Sequence, residues 1–236
     1  MLLFSLILSH LLGDFILQPK SWVEAKEKEG AKGPYLYLHV LIHVLLFLLI
    51  VSSEYLWMLP FIAISHFCID LIKTKKQTEA TKKQWFFIDQ GLHILVLVAL
   101  VNFSQYPILA SLNWNFWIPV LTGGVFVTLP CAIIVRYLIA DFTAQVPQEG
   151  KWDVDSLANA GTYIGILERL LVYLFIVTQH WEGVGFMIAA KSVFRFSDLA
   201  ESRQRKLTEY VLIGTLLSFG LAVVTGILVV SVFNIE

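Results

Sequence analysis

The sequence contains little charge and almost no cysteine. Charged residues make up 15% of the chain and hydrophobic residues 57%, whereas a soluble domain is about 25% charged. The two cysteines, Cys68 and Cys131, both lie in apolar runs, where they are expected to act as small packing residues. This composition excludes a disulfide-stapled fold and a soluble globular domain. At about 20 residues per span, a chain of 236 residues also has no room for a separate folded domain outside a membrane.

Several functional motifs are missing as well. The sequence has no glycine-rich dinucleotide loop, no P-loop, no GxSxG elbow and no HExxH helix. The net charge is -1, and no basic arm stands outside the apolar runs. Nucleotide binding, serine hydrolysis and a nucleic-acid partner therefore have no support in the sequence.

Hydrophobic runs are what the chain does contain. They predict an all-α, polytopic integral membrane protein with about eight transmembrane helices. The runs cover residues 2–18, 36–52, 55–73, 85–101, 117–140, 162–178, 184–196 and 210–233, and the seventh is short for a crossing. We expect residues 1–103 to form a four-helix bundle that carries a metal site, and residues 104–236 to pack on it as part of one integral unit.

The connectors between these runs differ in their content of lysine and arginine. Residues 18–34, 73–83 and 196–209 contain several each, whereas 52–54, 102–116 and 179–183 contain none. The positive-inside rule then places the basic connectors in the cytoplasm and both termini outside.

Histidine and aspartate recur in pairs four residues apart inside the first four runs. On a helix this spacing stacks both side chains on one face, so each pair can chelate one ion. The pairs are His10/Asp14, His39/His43, His66/Asp70 and Asp89/His93. Counted from the cytoplasmic ends, Asp14, His39, Asp70 and Asp89 lie one turn deep and the other four lie two turns deep. The two layers predict a polar centre on the cytoplasmic side of a helix bundle.

Burying three aspartates in a membrane is costly, at roughly 2.5–3.5 kcal/mol each, so a bound partner is expected to offset them. Mixed imidazole and carboxylate ligation suits Zn²⁺, Mn²⁺ or Fe²⁺ better than Mg²⁺ or Ca²⁺, with zinc the first choice. Eight ligand groups suit one or two transition-metal ions. A metal-free proton relay is the alternative for the same residues.

Charged residues also occur deep in the second half. Glu168, Arg169, Lys191 and Arg195 lie in or beside the sixth and seventh runs. We consider them catalytic candidates, with Glu168 as general acid or base and the three cations as an anion clamp beside the metal. A structural ion pair between Glu168 and Lys191 is the competing interpretation.

Several segments resemble those of a bacterial family of integral membrane proteins known only as a domain of unknown function, number 3307. The segments are HLLGDFILQ, SHFCIDLIK, FIDQGLHIL, GTYIGILERLL, AAKSVFRF and EYVLIGTLLSF. More loosely, the His/Asp pairs are similar to those of membrane-bound metal-dependent hydrolases related to zinc phospholipase C and the S1/P1 nucleases. The first resemblance implies the bacterial inner membrane, and the second implies phosphoester hydrolysis.

The leading hypothesis is an intramembrane metal-dependent hydrolase that acts on a lipid or lipid-linked phosphoester through a metal-activated water. Its partners would be the lipid bilayer and that substrate. The first alternative is a transporter for a divalent metal or protons. The second is a structural metal site in a membrane scaffold or sensor.

Overall fold

A computed structural model describes residues 2–104, 117–143, 154–202 and 205–233. The regular structure in these ranges is helical, with no strand. The α-helices are α1 (Leu2–Leu11), α2 (Lys20–Glu29), α3 (Tyr35–Ile50), α4 (Leu59–Lys76), α5 (Lys82–Phe103), α6 (Trp117–Phe126), α7 (Leu129–Thr143), α8 (Val154–Val177), α9 (Trp181–Ser202) and α10 (Arg205–Phe233). The all-α prediction is confirmed.

Proline and glycine set the helix boundaries in the first half of the chain. Pro19 and Pro34 directly precede α2 and α3, and Pro60 lies in the first turn of α4, where the missing N–H costs nothing. Gly30 ends α2 with a φ of 56°, a left-handed value that glycine adopts without a steric penalty. A single π-helical turn, Leu12–Ile16, continues directly from α1.

Within the described ranges, four stretches are long and apolar enough to cross a membrane: Ser53–Lys76, Glu79–Phe103, Trp117–Ala140 and Glu209–Val232. A fifth is possible by length if Leu2–Ile16 and Lys20–Lys32, which meet at an 86° bend, count as one broken span. Large apolar side chains point outward on these stretches and on α3; Phe103 of α5 is 79% exposed and Leu49 of α3 is 81% exposed. An exposed apolar surface of this kind is typical of a membrane protein.

Helices occur at all eight predicted runs, but their lengths differ from the prediction. The seventh run, 184–196, lies within the 22-residue helix α9. The hydropathy pattern predicts a segment shorter than α9 because Lys191 and Arg195 lower the local average. The helix itself continues past both residues.

Contacts divide the chain into two compact units, 1–122 and 123–236. In the first unit, α1 and α4 each contact both α3 and α5, and α2 lies against α3 and α4. In the second unit, α8 contacts α7, α9 and α10, and α10 also contacts α7.

The interior of the first unit has two distinct parts. One part is an apolar cluster of Leu2, Leu6, Phe47, Val51, Met58, Leu97 and Val101, which we call the apolar plug. The other part is polar and contains the paired histidines and aspartates. Helices α1, α3, α4 and α5 are therefore apolar toward one end of the interior and polar toward the other.

Candidate metal centre

All eight predicted ligand residues lie together in the first unit. The five histidines are 1–4% exposed, and Asp70 and Asp89 are 2% and 1% exposed. Asp14 is slightly more accessible, with its side chain 9% exposed. Helices α1, α3, α4 and α5, with the turn that follows α1, therefore bury all four pairs in one place.

Asp14 lies at the middle of this cluster. Its Oδ1 is 3.0 Å from Nε2 of His43, 3.3 Å from Nε2 of His39 and 3.5 Å from Nε2 of His66. Its Oδ2 accepts a hydrogen bond of 2.9 Å from Nε2 of Gln90. The two carboxylate oxygens thus face different neighbours.

The π-helical turn determines where Asp14 is. Asp14 is the central residue of Leu12–Ile16, the widened turn that follows the α-helical turns bearing His10. His10 Nε2 remains within 3.7 Å of Asp14 Oδ2. Single π-turns are frequent at functional sites because they re-aim one side chain.

The imidazole rings form a continuous cluster. Ring centroids lie 3.8 Å apart for His43 and His66, 4.1 Å for His66 and His93, and 4.9 Å for His39 and His66. His10 lies 5.0 Å from His93. The Nε2 atoms of His39 and His66 are 3.0 Å apart.

Gly13 allows the closest approach in the cluster. A Cβ at this position would lie 2.4 Å from Cε1 and 2.5 Å from Nε2 of His43, which real side chains do not tolerate. The His43 ring can therefore pack against the backbone of the π-turn only because residue 13 has no side chain.

Two lysines bind two of the three carboxylates of the centre. Lys26 Nζ donates to Asp70 Oδ2 at 2.6 Å, and Lys73 Nζ donates to Asp89 Oδ2 at 2.7 Å. Lys26 is itself only 6% exposed, because α2 brings it against α3 and α4. Two of the three aspartates are thus paired with a cation.

Sequence reasoning missed Lys26, Lys73 and Gln90 as parts of the centre. The lysines were assigned to connectors, where the positive-inside rule uses them as topology markers. Gln90 also donates to Asp89 Oδ2 at 3.2 Å and so links two of the carboxylates. Its position next to Asp89 in an apolar run was the available signal, whereas the fold-back of α2 leaves no local signal in the sequence.

Three overlapping groups in this cluster have ligand atoms within 4.8 Å of one another. They are His10/Asp14/His43/His66, His39/His66/Asp70 and Asp14/Asp89/His93. At metal–ligand distances of about 2.0–2.2 Å, ligand atoms of one tetrahedral ion lie about 3.3–3.6 Å apart. The distances of 3.0 Å and 3.5 Å from Asp14 Oδ1 to His43 and His66 are close to that spacing.

Some buried polar atoms in the cluster have no hydrogen-bond partner. These atoms are Nδ1 and Nε2 of His93, Oδ1 of Asp89 and Nδ1 of His39. An unsatisfied buried polar atom costs about 1–3 kcal/mol, so such atoms are rare in proteins. Three of the four belong to the Asp14/Asp89/His93 group, and a cation there would satisfy Asp89 Oδ1 and one of the two His93 nitrogens.

A small cavity adjoins the histidines on the side of the apolar plug. Its volume is about 20 Å³, and its lining includes His10, His43, His66 and His93 together with Ser9 and Ser65. A volume of this size holds a water molecule, for which about 10–15 Å³ is enough.

The predicted catalytic residues lie in the second unit. Lys191 Nζ donates to Glu168, which is the ion pair of the competing interpretation. Arg169 is 4% exposed and donates to the carbonyls of Val127 and Thr128 and to Ser218 Oγ. The side chain of Arg195 lies outside the described residues.

Comparisons with known proteins add one finding. The model of a family described as "Protein of unknown function (DUF3307)" matches residues 2–122, which include every residue of the candidate centre. No curated protein and no solved structure matches the chain. These comparisons give no support to the looser resemblance to metal-dependent hydrolases.

Proposed function

Because the chain belongs to the DUF3307 family of proteins of unknown function, we propose its function from its own site: an intramembrane metal-dependent hydrolase. In this proposal the first unit is a four-helix bundle of α1, α3, α4 and α5 within a protein of about eight membrane spans. The protein lies in the bacterial inner membrane. The centre faces the cytoplasm, because the lysines that touch it belong to the two basic connectors.

The observation that carries the proposal is the position of Asp14 between two metal-competent groups. Its Oδ1 faces His39, His43 and His66, and the same carboxylate belongs to the group with Asp89 and His93. A carboxylate has two oxygens and can bridge two ions. One or two transition-metal ions, zinc first, would be held by these groups, and Asp14 would contribute a carboxylate to each group.

This arrangement supports hydrolysis through the water-sized cavity beside the histidines. A bound divalent ion polarises a water molecule and makes it a nucleophile at neutral pH. The cavity of about 20 Å³ admits that water but no larger molecule. A lipid or lipid-linked phosphoester is the substrate in this proposal, because ligands one to two helical turns from the cytoplasmic helix ends lie within reach of a headgroup.

The roles of Glu168, Arg169, Lys191 and Arg195 in catalysis stay a prediction. The pairing of Glu168 with Lys191 and the three bonds of Arg169 favour fixed positions for these groups. The proposed metal chemistry does not depend on them.

The apolar plug makes transport a weaker hypothesis. A transported ion needs polar groups along its whole route. On the plug side of the histidines the interior is filled by Leu6, Phe47 and Leu97, with Leu2, Val51, Met58 and Val101 beyond them. A metal or proton route through the first unit would have to cross this apolar layer.

A structural metal site is the second candidate, and the burial of the ligands favours it. Every histidine of the centre is at most 4% exposed, as in sites that keep no position open for substrate. Such a site would contribute to folding without turnover. The two candidates differ in whether metal loading yields activity.

The first test is elemental analysis of detergent-purified protein. We expect one to two equivalents of a transition metal in the wild type, and a loss of at least half in Asp14→Asn because the carboxylate that two of the candidate groups share is gone. His180→Ala is the matched control, since His180 is an exposed histidine outside the cluster. Wild-type protein that stays metal-free after incubation with zinc, manganese or iron would overturn the proposal.

The second test separates the two candidates. Metal-loaded and chelator-stripped proteins are compared for the release of phosphate or headgroup from phospholipids and lipid phosphates. Metal-dependent release that is absent in Asp14→Asn supports the hydrolase. A metal that raises the melting temperature of the protein but gives no turnover on any substrate would instead establish the structural site.

A further inference from the structure

The second unit contains a cavity of its own, independent of the metal centre. Its volume is about 530 Å³, within the range of about 300–1,000 Å³ that is usual for small-molecule sites. The walls come from α7, α8 and α10, with Lys191 of α9. Apolar side chains such as Ile139, Ile164 and Val211 share these walls with charged ones.

Small residues on α8 and α10 make room for this cavity. Gly161 and Gly165 precede Arg169 at four-residue intervals on α8, so all three lie on one face of the helix. Gly214 precedes Ser218 at the same interval on α10. A Cβ at Gly161 would meet no atom within 4 Å, and one at Gly165 would lie 3.3 Å from Nη1 of Arg169. The glycine face thus leads from an exposed position to a buried guanidinium.

Arg169 is held in a fixed position at the deep end. Its Nε donates to the carbonyl of Val127 at 2.6 Å, Nη2 to that of Thr128 at 3.1 Å, and Nη1 to Ser218 Oγ at 3.1 Å. These carbonyls belong to the break between α6 and α7. A guanidinium has five N–H donors, so three bonds leave one N–H on each terminal nitrogen. Arg169 also lines the cavity and can present those donors to a ligand.

The charges that line the cavity do not cancel. Among the described lining residues the cations are Arg136, Arg169 and Lys191, and the carboxylate is Glu168, which Lys191 already binds. Lys191 Nζ also lies 5.1 Å from the centre of the Phe219 ring. Two positive charges therefore remain, one on exposed Arg136 and one on buried Arg169.

We propose that this cavity binds an anionic phospholipid, with the phosphate near Arg136 and Arg169 and the glycerol and upper acyl carbons against the apolar wall. Phosphate is the anion that a guanidinium recognises best. An apolar wall favours a lipid over free phosphate, because only the lipid gains from burying carbon there. The site lies entirely in the second unit, beyond residues 2–122 that the family model covers.

The test is native mass spectrometry of the full chain in detergent with phosphatidylglycerol, phosphatidylcholine or inorganic phosphate as the probe. We expect the wild type to bind phosphatidylglycerol with at least about tenfold preference over phosphatidylcholine, because the choline group would place another positive charge beside the two arginines. Arg136→Gln and Gly161→Leu should each lower phosphatidylglycerol binding several-fold, one by removing charge and the other by filling the cavity.

Matched controls come from the same chain. Lys75→Gln removes an exposed charge in the first unit, and Gly185→Leu adds the same side chain at an exposed glycine that also meets no atom within 4 Å. Both controls should bind lipid as the wild type does. Equal losses in the controls would mean general surface binding of lipid and would overturn the proposal. Inorganic phosphate that binds as tightly as the lipid would overturn it as well, since the apolar wall would then contribute nothing.

Metal content measured on the same samples keeps the two proposals separate. Arg136→Gln and Gly161→Leu should retain the wild-type metal, because neither residue lies in the first unit. Lipid binding without metal, or metal without lipid binding, would each disprove one proposal and leave the other standing.

Discussion

At the scale of single residues, the centre is defined by side chains that bring opposite charges together in an apolar interior. Lys26 and Lys73 neutralise Asp70 and Asp89, while Asp14 is surrounded by imidazoles and Gln90. Removing one partner of a buried ion pair leaves an uncompensated charge, which costs about 3–5 kcal/mol. We therefore expect each of these lysines to affect the stability of the centre and, in the proposed function, its affinity for an ion.

Lys26→Met tests this coupling. Without metal we expect the melting temperature to fall, because Asp70 keeps its charge and loses its partner. Added zinc should recover more stability in this variant than in the wild type, since Asp70 becomes available as a ligand and binding stabilises the folded state. Lys28→Met is the matched control, as Lys28 is exposed on the same helix. Equal behaviour of the two variants would show that Lys26 has no such role.

Gly13→Ala tests the contact between the π-turn and His43. The added methyl would overlap the His43 ring, so we expect a loss of about 1–3 kcal/mol in stability and weaker metal binding. Gly91→Ala, on α5, meets no atom within 4 Å and should be neutral or slightly stabilising. Thermal unfolding and a metal titration of both variants check the prediction; normal metal affinity in Gly13→Ala would contradict it.

At the scale of elements, the spacing of histidine and aspartate predicted which residues meet, because four-residue pairs share a helix face whatever the surrounding fold. The π-turn at Leu12–Ile16 was not predictable in this way. The same amino acids can form either an α-helical or a π-helical turn, and packing against neighbours such as His43 decides which of the two forms. The packing of α2 against the centre is also a tertiary effect. It brings Lys26 to Asp70, which lies 44 residues away in sequence.

Deletion of Leu12 tests the π-turn. Removing one residue should convert the turn to an α-helix and turn Asp14 away from the three imidazoles that it now faces. We expect metal content to fall at least as far as in Asp14→Asn. Leu12→Ala, which keeps the chain length, is the control and should retain the metal. Full metal content in the deletion variant would show that the widened turn is not needed.

At the scale of the whole molecule, many large apolar side chains are exposed and some charged ones, such as Asp70, Asp89 and Arg169, are buried, unlike the usual pattern of a soluble protein. Composition alone predicted the exposed apolar side chains, because hydrophobic residues that make up 57% of a chain of this size cannot all be buried. Composition cannot predict how many helices cross the membrane. Among the described residues, four stretches are long and apolar enough to cross a membrane. Whether the remaining helices cross it depends on the helices that pack against them.

Cysteine labelling tests the proposed orientation. In a background with Cys68 and Cys131 replaced by alanine, Lys28→Cys should react with a membrane-impermeant maleimide only from the cytoplasmic side. Glu182→Cys, at an exposed position in the first turn of α9, should react only from the opposite side. Reaction of Lys28→Cys from the outer side alone would invert the topology and place the metal centre toward the periplasm.

The apolar plug also bears on the energetics of the cell. Proton-motive force is sustained only if every protein in the membrane resists the passage of protons, and buried histidines and aspartates are the groups that conduct them. In the first unit, a layer of leucine, valine, phenylalanine and methionine closes one end of the polar cluster. Moving one charge against 100 mV involves about 2.3 kcal/mol, and we expect most of that voltage to fall across the apolar layer and not across the histidines. In the proposed orientation, a cell would then hold a deeply buried set of titratable groups without leaking its gradient, and a metal bound at the centre would exchange with one compartment alone.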